Sequence, residues 1–208
     1  MTRPFGPVPD AFRHEVHRVI ADGDLVAVHG THHGVGPVPL VAFDVFRVDT
    51  DGKVAEHRDA LAPRVAVTVS GRSQTDGPTE PGDTDRTEAN RALVTEFAQQ
   101  VLVGADRSAP TDCFSTETCH QHSPEVGDGV DGFGAAAERW AEQGRSRLYE
   151  KVHKVIAEGD FVLVLSEGEF GVPVAYYDLF RLADGRIVEH WDVVMPVPAE
   201  LPHDNGLF

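Results

Sequence analysis

The stretch Gly185-Arg186-Ile187-Val188-Glu189-His190-Trp191-Asp192 has a close counterpart far earlier in the chain, Gly52-Lys53-Val54-Ala55-Glu56-His57-Arg58-Asp59. Two further pairs of segments match in the same order: residues 16–24 with 152–160, and Asp44-Val45-Phe46-Arg47 with Asp178-Leu179-Phe180-Arg181. The offset falls from 136 residues (152 minus 16) to 133 (185 minus 52), so the copies differ slightly in loop length. Ordered matches of this kind indicate an internal repeat.

Each copy has the pattern of antiparallel strands. In the second copy, β-branched and apolar residues at 152–156 and 161–165 flank Glu158-Gly159, which is a hairpin signal. A second hairpin is predicted around Ala183-Asp184-Gly185, and the first copy has Asp51-Gly52 at the matching turn. Each copy therefore predicts about four antiparallel strands.

The segment between the two strand groups predicts a linker and then helices. Residues 67–86 are rich in Ser, Thr, Gly, Asp and Pro, as linkers are. Asp85-Arg86-Thr87-Glu88 resembles a capping box with Asp85 as the N-cap. The apolar positions that follow predict a helix ending near Gly104. Two further helices are predicted, a short one near residues 111–117 and one from about Asp131 to about Gln143.

This order predicts an α+β fold in which helices pack on one face of a curved antiparallel sheet. We expect a partial copy over residues 1–66, a linker over 67–86 and a complete domain over 87–208. The partial copy lacks helices, so its apolar face must be covered by the second copy, by another subunit or by a missing upstream segment. We favour the second copy, which makes a pseudo-dimer within the chain, and a homodimer is a further expectation.

Composition limits the possible partners. Hydrophobic residues make up 41% of the chain, and the formal net charge is −16. Such a negative charge repels nucleic acid and anionic lipid, so neither is expected as a partner. No apolar run approaches the roughly 18 residues of a membrane span. The first residues lack the apolar core of a signal peptide, and we expect a soluble cytoplasmic protein.

The acidic surface has two explanations. The chain has 34 Asp and Glu residues against 18 Lys and Arg, and its only lysines are Lys53, Lys151 and Lys154. An excess of carboxylates suits a salt-rich cytoplasm, where self-repulsion is screened, and this favours a halophilic source. An ordinary acidic protein from a GC-rich genome explains the same composition.

The second copy resembles the SnoaL-like branch of the nuclear transport factor 2-like (NTF2-like) superfamily. The matching stretches are His120-Gln121-His122-Ser123-Pro124 with Gly132-Phe133, residues 155–160, Asp178-Leu179-Phe180-Arg181, residues 185–192, and the tail Asn205-Gly206-Leu207-Phe208. The resemblance covers residues 87–208, and 14–63 as a half domain. It implies a cone-shaped fold around an apolar pocket, and activity without a cofactor. The fold hosts isomerases, cyclases, dehydratases and plain binders, so it fixes function only loosely.

The branch is named for polyketide cyclases, which close a ring by an aldol reaction. Such chemistry needs a base to take a proton next to a carbonyl and a donor to hold the enolate oxygen. Asp178, His190 and Asp192 are the candidate catalytic residues. The resemblance makes Asp192 the acid–base carboxylate and Asp178 a supporting donor. Asp178 is not the histidine that some cyclases have, and these residues could equally form a half-buried cross-strand ladder.

The turn length decides whether these candidates meet. If Ala183-Asp184-Gly185 is a three-residue loop, Asp178 pairs with His190 and Tyr176 pairs with Asp192, which places all three candidates on one face. With a two-residue loop the parity changes, and Asp178 points away from His190 and Asp192. The position of the glycine favours the longer loop.

Five residues are predicted to contact substrate: His122, Tyr176, Phe180, Trp191 and Trp140. The aromatic residues fit a core or pocket wall, and a histidine that caps a loop is the alternative for His122. No metal site is predicted, because the spacing of Cys113, Cys119, His120 and His122 fits no common zinc pattern. The group His29, His32 and His33 lies near a Gly-rich turn, where solvated histidines are expected.

These observations predict a cofactor-independent acid–base enzyme acting on a small apolar carbonyl compound, as an aldol-type cyclase, isomerase or dehydratase. A ligand-binding module without chemistry is the alternative. A protein-interaction module, in which the half copy recruits a complete partner, is a third possibility.

Overall fold

The computed structural model describes residues 12–104, 119–198 and 208. The predicted helix at 111–117, Cys113 and most of the Asn205–Phe208 tail lie outside these residues. The strands are β1 (Arg13–Asp22), β2 (Leu25–His33), β3 (Leu40–Val48), β4 (Val54–Pro63), β5 (His120–Gln121), β6 (Leu148–Glu158), β7 (Phe161–Glu169), β8 (Pro173–Ala183) and β9 (Arg186–Pro196). The helices are α1 (Thr87–Phe97), which continues as a π-helical segment Ala98–Val103, and α2 (Gly129–Glu142).

The strands form two antiparallel sheets, one for each copy. The first sheet has the order β1-β2-β3-β4, and the second has the order β5-β9-β8-β7-β6, with the short β5 parallel to β9. The fold is α+β, and the part of the first half that the structure describes consists of hairpins alone, as the sequence predicted. Its two sheets arise because each copy carries its own pair of hairpins.

The two sheets pack against each other through one apolar core. Val41, Phe43 and Val45 of β3 point into it from the first sheet, and Tyr177 and Trp191 are among those that point into it from the second. All five are buried. Because alternate residues of a strand face opposite sides of the sheet, only every second residue of a strand points into this core. The apolar face of the half copy is therefore covered by the second copy.

The other face of the second sheet carries the helices. Val94 and Phe97 of α1 pack with Val162, Val164 and Phe180 of the sheet. The helix ends near Gly104, as predicted, although its last turn is π-helical.

The start of α1 differs from the predicted capping box. A 3₁₀ turn, Thr84–Arg86, precedes the helix. The N-cap residue of α1 is Arg86 rather than Asp85, and its side chain makes no capping hydrogen bond. The hydroxyl of Thr87 instead donates to the Thr84 carbonyl and accepts the Gly159 N–H, which ties the helix start to the β6–β7 turn.

The predicted three-residue loop between β8 and β9 is wrong. Ala183 pairs with Arg186, so the turn contains only Asp184 and Gly185. Both adopt positive φ, 51° and 72°. Two consecutive residues in this region form the tight turn that matches the right-handed twist of a hairpin. The Asp-Gly pair therefore specifies the shorter loop.

A β-bulge restores the parity that the short turn would have changed. Arg181 pairs with Glu189, while the next pair is Leu182 with Ile187, so Val188 is an extra residue. Asp178 consequently pairs with Asp192. The predicted pairs were each wrong by two residues, since His190 faces Phe180 and Tyr176 faces Val194. The shift by an even number keeps the three acid–base candidates on one face.

The first sheet repeats this register. A bulge lies between Arg47 and Val48, and beyond it Asp44 pairs with Asp59 just as Asp178 pairs with Asp192. The two copies thus carry the same pair of facing aspartates, on the same kind of bulged hairpin.

The segment predicted as a linker is packed across both copies. The buried guanidinium of Arg18 donates to the carbonyls of Thr75, Asp76 and Pro78. Trp191 also donates to the Asp76 carbonyl, at 3.0 Å. The Arg18 guanidinium lies 4.3 Å from the centre of the Trp191 ring, which fits a cation–π contact. The segment therefore binds both sheets, and its boundaries at 67 and 86 stay a prediction. No described helix is both long enough and apolar enough to cross a bilayer.

Candidate functional site

The acid–base candidates meet on the helix-covered face of the second sheet. Asp178, His190 and Asp192 are all buried. One side-chain nitrogen or oxygen atom of each lies within 4.8 Å of those of the other two. His190 Nε2 is 3.0 Å from Asp178 Oδ1. The bulged hairpin creates this grouping. It places Asp178 opposite Asp192, and His190, two residues from Asp192 on the same strand, points to the same face.

Two residues that the sequence did not point to complete the cluster. Arg147, just before β6, donates from Nη2 to Asp192 Oδ2 at 2.7 Å and to Asp178 Oδ1 at 3.3 Å. The Tyr149 hydroxyl lies 3.2 and 3.1 Å from the two oxygens of Asp178. Two carboxylates facing each other in the interior require a cation, and Arg147 supplies it.

The electrostatics of the cluster follow from burial and pairing. Burial alone would lower the pKa of Arg147, but Tyr149, Asp192 and Asp178 outweigh it and raise that pKa well above its ordinary value. Burial raises the pKa of Tyr149 well above its ordinary value. Arg147 is therefore a fixed positive charge, and Tyr149 is a neutral hydroxyl that donates to Asp178.

His190 is held from both sides. Its Nδ1 lies 2.9 Å from Gln121 Oε1, and the Gln121 amide nitrogen lies 3.7 Å from Cys119 Sγ. Its Nε2 lies 3.0 Å from Asp178 Oδ1, so the ring is held between an amide and a carboxylate. Asp178 is thus fully engaged, with donors from Arg147, Tyr149 and His190.

Asp192 differs from Asp178 because it has an available oxygen. Its Oδ2 accepts from Arg147 and, at 3.1 Å, from the Ser123 hydroxyl. Its Oδ1 is buried and has no hydrogen-bond partner among the described residues. A buried acceptor without a partner is costly, and such atoms in native proteins call for an explanation.

A cavity of about 310 Å³ lies beside Asp192. Arg147, Ser123 and Trp140 line it, together with valine, proline and phenylalanine side chains. Ala62 of the half copy and Gln74 of the connecting segment also belong to its wall. Both copies therefore contribute to one cavity, and two of its polar residues, Arg147 and Ser123, bond the Asp192 carboxylate.

The predicted substrate-contacting residues divide into two groups. Trp140 lines the cavity, and its indole contacts Phe170 edge-on. Tyr176 and Phe180 share the face of Asp192 but lie outside the cavity wall. The Tyr176 ring stacks on Tyr149, and its hydroxyl donates to the Glu169 carbonyl at 2.8 Å. These contacts orient the buried cluster rather than a ligand.

Phe180 belongs to the core under α1. Its ring stacks on His190 with centres 4.8 Å apart and meets Phe97 edge-on. It therefore fixes the plane of the His190 imidazole from the side of the helix.

Trp191 and His122 do not line this cavity. Trp191 alternates with His190 and Asp192 along β9, so it points into the core between the sheets. His122 stacks on the Trp191 ring, 4.6 Å between centres, and its Nε2 lies 2.9 Å from Glu189 Oε1. The loop before α2 thus passes to the far side of β9, where both residues have structural contacts.

The cysteine and histidine groups also differ from the sequence-based expectations. Cys119 is buried, and burial raises its thiol pKa to about 12, so it is a poor ligand or nucleophile. His29 is not solvated: it is buried and stacks on Phe43. His32 is largely buried too, and its Nε2 lies 2.9 Å from Asp44 Oδ2.

An antiparallel sheet covered by helices on one face, with a small cavity lined in part by a buried carboxylate, defines a class of small-molecule pocket proteins. The SnoaL-like domain family matches residues 1–57 and 90–190. The chain therefore belongs to the SnoaL-like family of the NTF2-like superfamily, as a partial copy followed by a complete one. The search of curated proteins finds no match.

Proposed function

We propose that the cavity binds a compact carbonyl compound and that Asp192 transfers a proton next to its carbonyl group. The observation that carries this proposal is the buried Oδ1 of Asp192, which has no partner among the described residues and belongs to a carboxylate that lines the cavity. A carboxylate oxygen without a partner can act as the base that takes a proton from carbon in a bound carbonyl compound. The family supports a small-molecule pocket, and this specific chemistry is our inference.

Three polar residues of the cavity, Asp192, Arg147 and Ser123, have a role in this reaction. Asp192 takes the α-proton, and the electron pair of the broken C–H bond moves onto the carbonyl oxygen to form an enolate. Arg147, which lines the same cavity and stays charged, offsets the negative charge of that enolate. Ser123 holds the other oxygen of Asp192, so the carboxylate keeps its orientation. Return of the proton to another carbon gives an isomerase. Attack of the enolate carbon on a second carbonyl forms an alkoxide, which takes the proton back from Asp192 to give an aldol product.

The size of the cavity limits the substrate. About 310 Å³ lies at the lower end of the range of roughly 300 to 1,000 Å³ for ligand sites. This favours a small ketone or β-dicarbonyl compound over an extended polycyclic one. The valine, proline and phenylalanine parts of the wall favour an apolar body on that substrate.

A binding module without chemistry is the second candidate, and the ion pair favours it. Asp192 Oδ2 and Arg147 Nη2 are only 2.7 Å apart, so the pair resembles a neutral polar anchor in the wall of the cavity. An anchor of this kind selects a ligand by hydrogen bonding and need not react with it.

The test is deuterium exchange at carbon, followed by NMR in heavy water with molar KCl, over a panel of small ketones and β-dicarbonyl compounds. The intact protein should catalyse exchange, and Asp192→Asn should lose at least about 100-fold of it. The matched control is Asp59→Asn, which changes the repeat counterpart of Asp192 in the first sheet and should keep full activity.

Two other results would contradict this proposal. Exchange that survives in Asp192→Asn would show that a different group is the base. Ligand-induced shifts of resonances around the cavity, without any exchange above buffer, would favour the binding module.

A further inference from the structure

The repeat places a second buried aspartate, Asp44, where the second copy has Asp178. The two have different neighbours. Asp178 is surrounded by Arg147, Tyr149 and a single histidine, His190. Among the described residues, no arginine or lysine pairs with Asp44, and its ion-pair partners are the imidazoles of His14, His32 and His57. Imidazole and carboxylate groups are the usual ligands of zinc and related divalent ions.

From this arrangement we propose that the first sheet holds a divalent transition-metal ion between His14 Nε2, His32 Nε2 and Asp44 Oδ2. These residues lie on neighbouring strands, with His14 directly opposite His32 in the β1–β2 register. Their donor atoms all lie within 4.8 Å of one another. Two histidines and one carboxylate are a frequent set in sites that keep positions open for water or substrate.

The distances fit one ion after small movements. Asp44 Oδ2 lies 2.9 Å from His32 Nε2 and 3.8 Å from His14 Nε2. Ligands about 2.0 to 2.1 Å from a tetrahedral zinc ion are about 3.3 Å from each other. The two observed distances bracket that value, so each nitrogen needs to move by only about 0.5 Å relative to the carboxylate oxygen. The metal would take the place of the proton that now joins His32 and Asp44.

The nitrogen of His14 is a second, independent sign of a ligand. Its Nε2 is buried and has no hydrogen-bond partner among the described residues, although it points toward the Asp44 carboxylate. The strand makes room for this ring with Gly30, because a Cβ at that position would overlap His14 Nε2. The absence of a side chain at Gly30 therefore leaves the space in which the unpartnered nitrogen of His14 lies.

The surroundings orient the ligands and leave access from solvent. His57 Nε2 lies 2.9 Å from the other oxygen of Asp44, Oδ1, and so holds the carboxylate with Oδ2 toward the ion. Asp59, which faces Asp44, adds negative charge close to the site. The side chain of Asp44 is 4% exposed, whereas that of His14 is 25% exposed, which gives an ion a path to a buried carboxylate.

The experiment uses the full chain without a histidine tag, freed of metal by a chelator and titrated with Co²⁺ and then with Zn²⁺. We expect one equivalent of Co²⁺ with the visible absorption of a low-coordinate site, displaced by Zn²⁺. His14→Gln and His32→Gln should each weaken binding at least about tenfold. His33→Gln is the matched control, because His33 is the next residue of β2, points to the opposite face and contacts Glu15 instead.

A measurement on the unmodified protein guards against misfolded variants. On addition of Zn²⁺, the Nε2 resonances of His14 and His32 should shift in a ¹⁵N NMR spectrum, while those of His120 and His153 stay in place. Gly30→Ala should also weaken binding, although it removes no ligand. Absence of stoichiometric binding, or binding that His14→Gln and His32→Gln leave unchanged, would overturn the proposal.

Discussion

The most direct test of the buried cluster is to remove its cation by Arg147→Met. Arg147 lies 2.7 Å from Asp192 and 3.3 Å from Asp178, and its side chain is only 6% exposed. The two carboxylates that it joins are 2% and 1% exposed. Methionine keeps much of the volume but leaves two facing buried carboxylates without the arginine that pairs with both. Breaking a buried pair in this way costs about 3 to 5 kcal/mol.

Equilibrium unfolding in urea measures this cost. With a urea m-value of roughly 2 kcal/mol per M, the midpoint of Arg147→Met should fall by about 2 M at neutral pH. Arg145→Met is the matched control, because Arg145 pairs with Glu125 at the surface, where the two side chains are 29% and 44% exposed. A surface pair of this kind contributes about 0 to 1 kcal/mol.

The pH dependence separates charge repulsion from lost packing. In Arg147→Met the facing carboxylates should share a proton that the unfolded chain does not hold above about pH 4. The folded variant then binds more protons than its unfolded state, so its stability should rise as the pH falls from about 7 toward about 5. An Arg147→Met midpoint within about 0.5 M of wild type, or a deficit that does not change with pH, would refute this account of the cluster.

Three further predictions concern stability and association. Burial raises the pKa of Glu189, but hydrogen bonds from His122 and Arg181 outweigh it and lower that pKa, so this stabilisation exists above the ordinary Glu range and disappears as the pH falls. Glu189→Gln should therefore cost about 2 to 3 kcal/mol at neutral pH and flatten the acid limb of the stability curve, whereas an unchanged acid limb would contradict the assignment. If the acidic composition reflects a halophilic source, the urea midpoint should rise between low and molar KCl, and a flat response would remove that hypothesis. Deleting residues 1–66 uncovers Tyr177 and Trp191, so the remaining domain should dimerise in analytical ultracentrifugation, and a well-behaved monomer would count against this.

Much of the fold was readable from the sequence because the repeat constrains it. Matching segments in the same order predicted two similar groups of hairpins, and the apolar face of the half copy required a cover. The register was harder. Asp184-Gly185 indicates a two-residue turn, which by itself would have separated Asp178 from Asp192. The residues around Val188 carry no sequence signal for the bulge that returns Asp178 and Asp192 to the same face, because a bulge depends on how the whole strand pairs.

The site was predicted in part, for the same reason. Asp178, His190 and Asp192 belong to the repeated hairpin and could be recognised together. Arg147 lies just outside β6, in Arg145-Ser146-Arg147, and has no pattern that separates it from other arginines. The one available signal was chemical, since two buried carboxylates on one face require a cation. Which arginine reaches the two carboxylates depends on the tertiary packing of the segment before β6.

Two residues of the cavity wall, Ala62 and Gln74, come from the first copy and from the segment that connects the two copies. In an assembly of separate subunits, such a wall would come apart on dilution. Here a chain connects the two sheets, and connected partners behave as if each were present at a very high local concentration, on the order of millimolar. The shape of the cavity should therefore be the same at nanomolar and at millimolar protein, and the half copy acts as a permanently bound partner that cannot be exchanged for another.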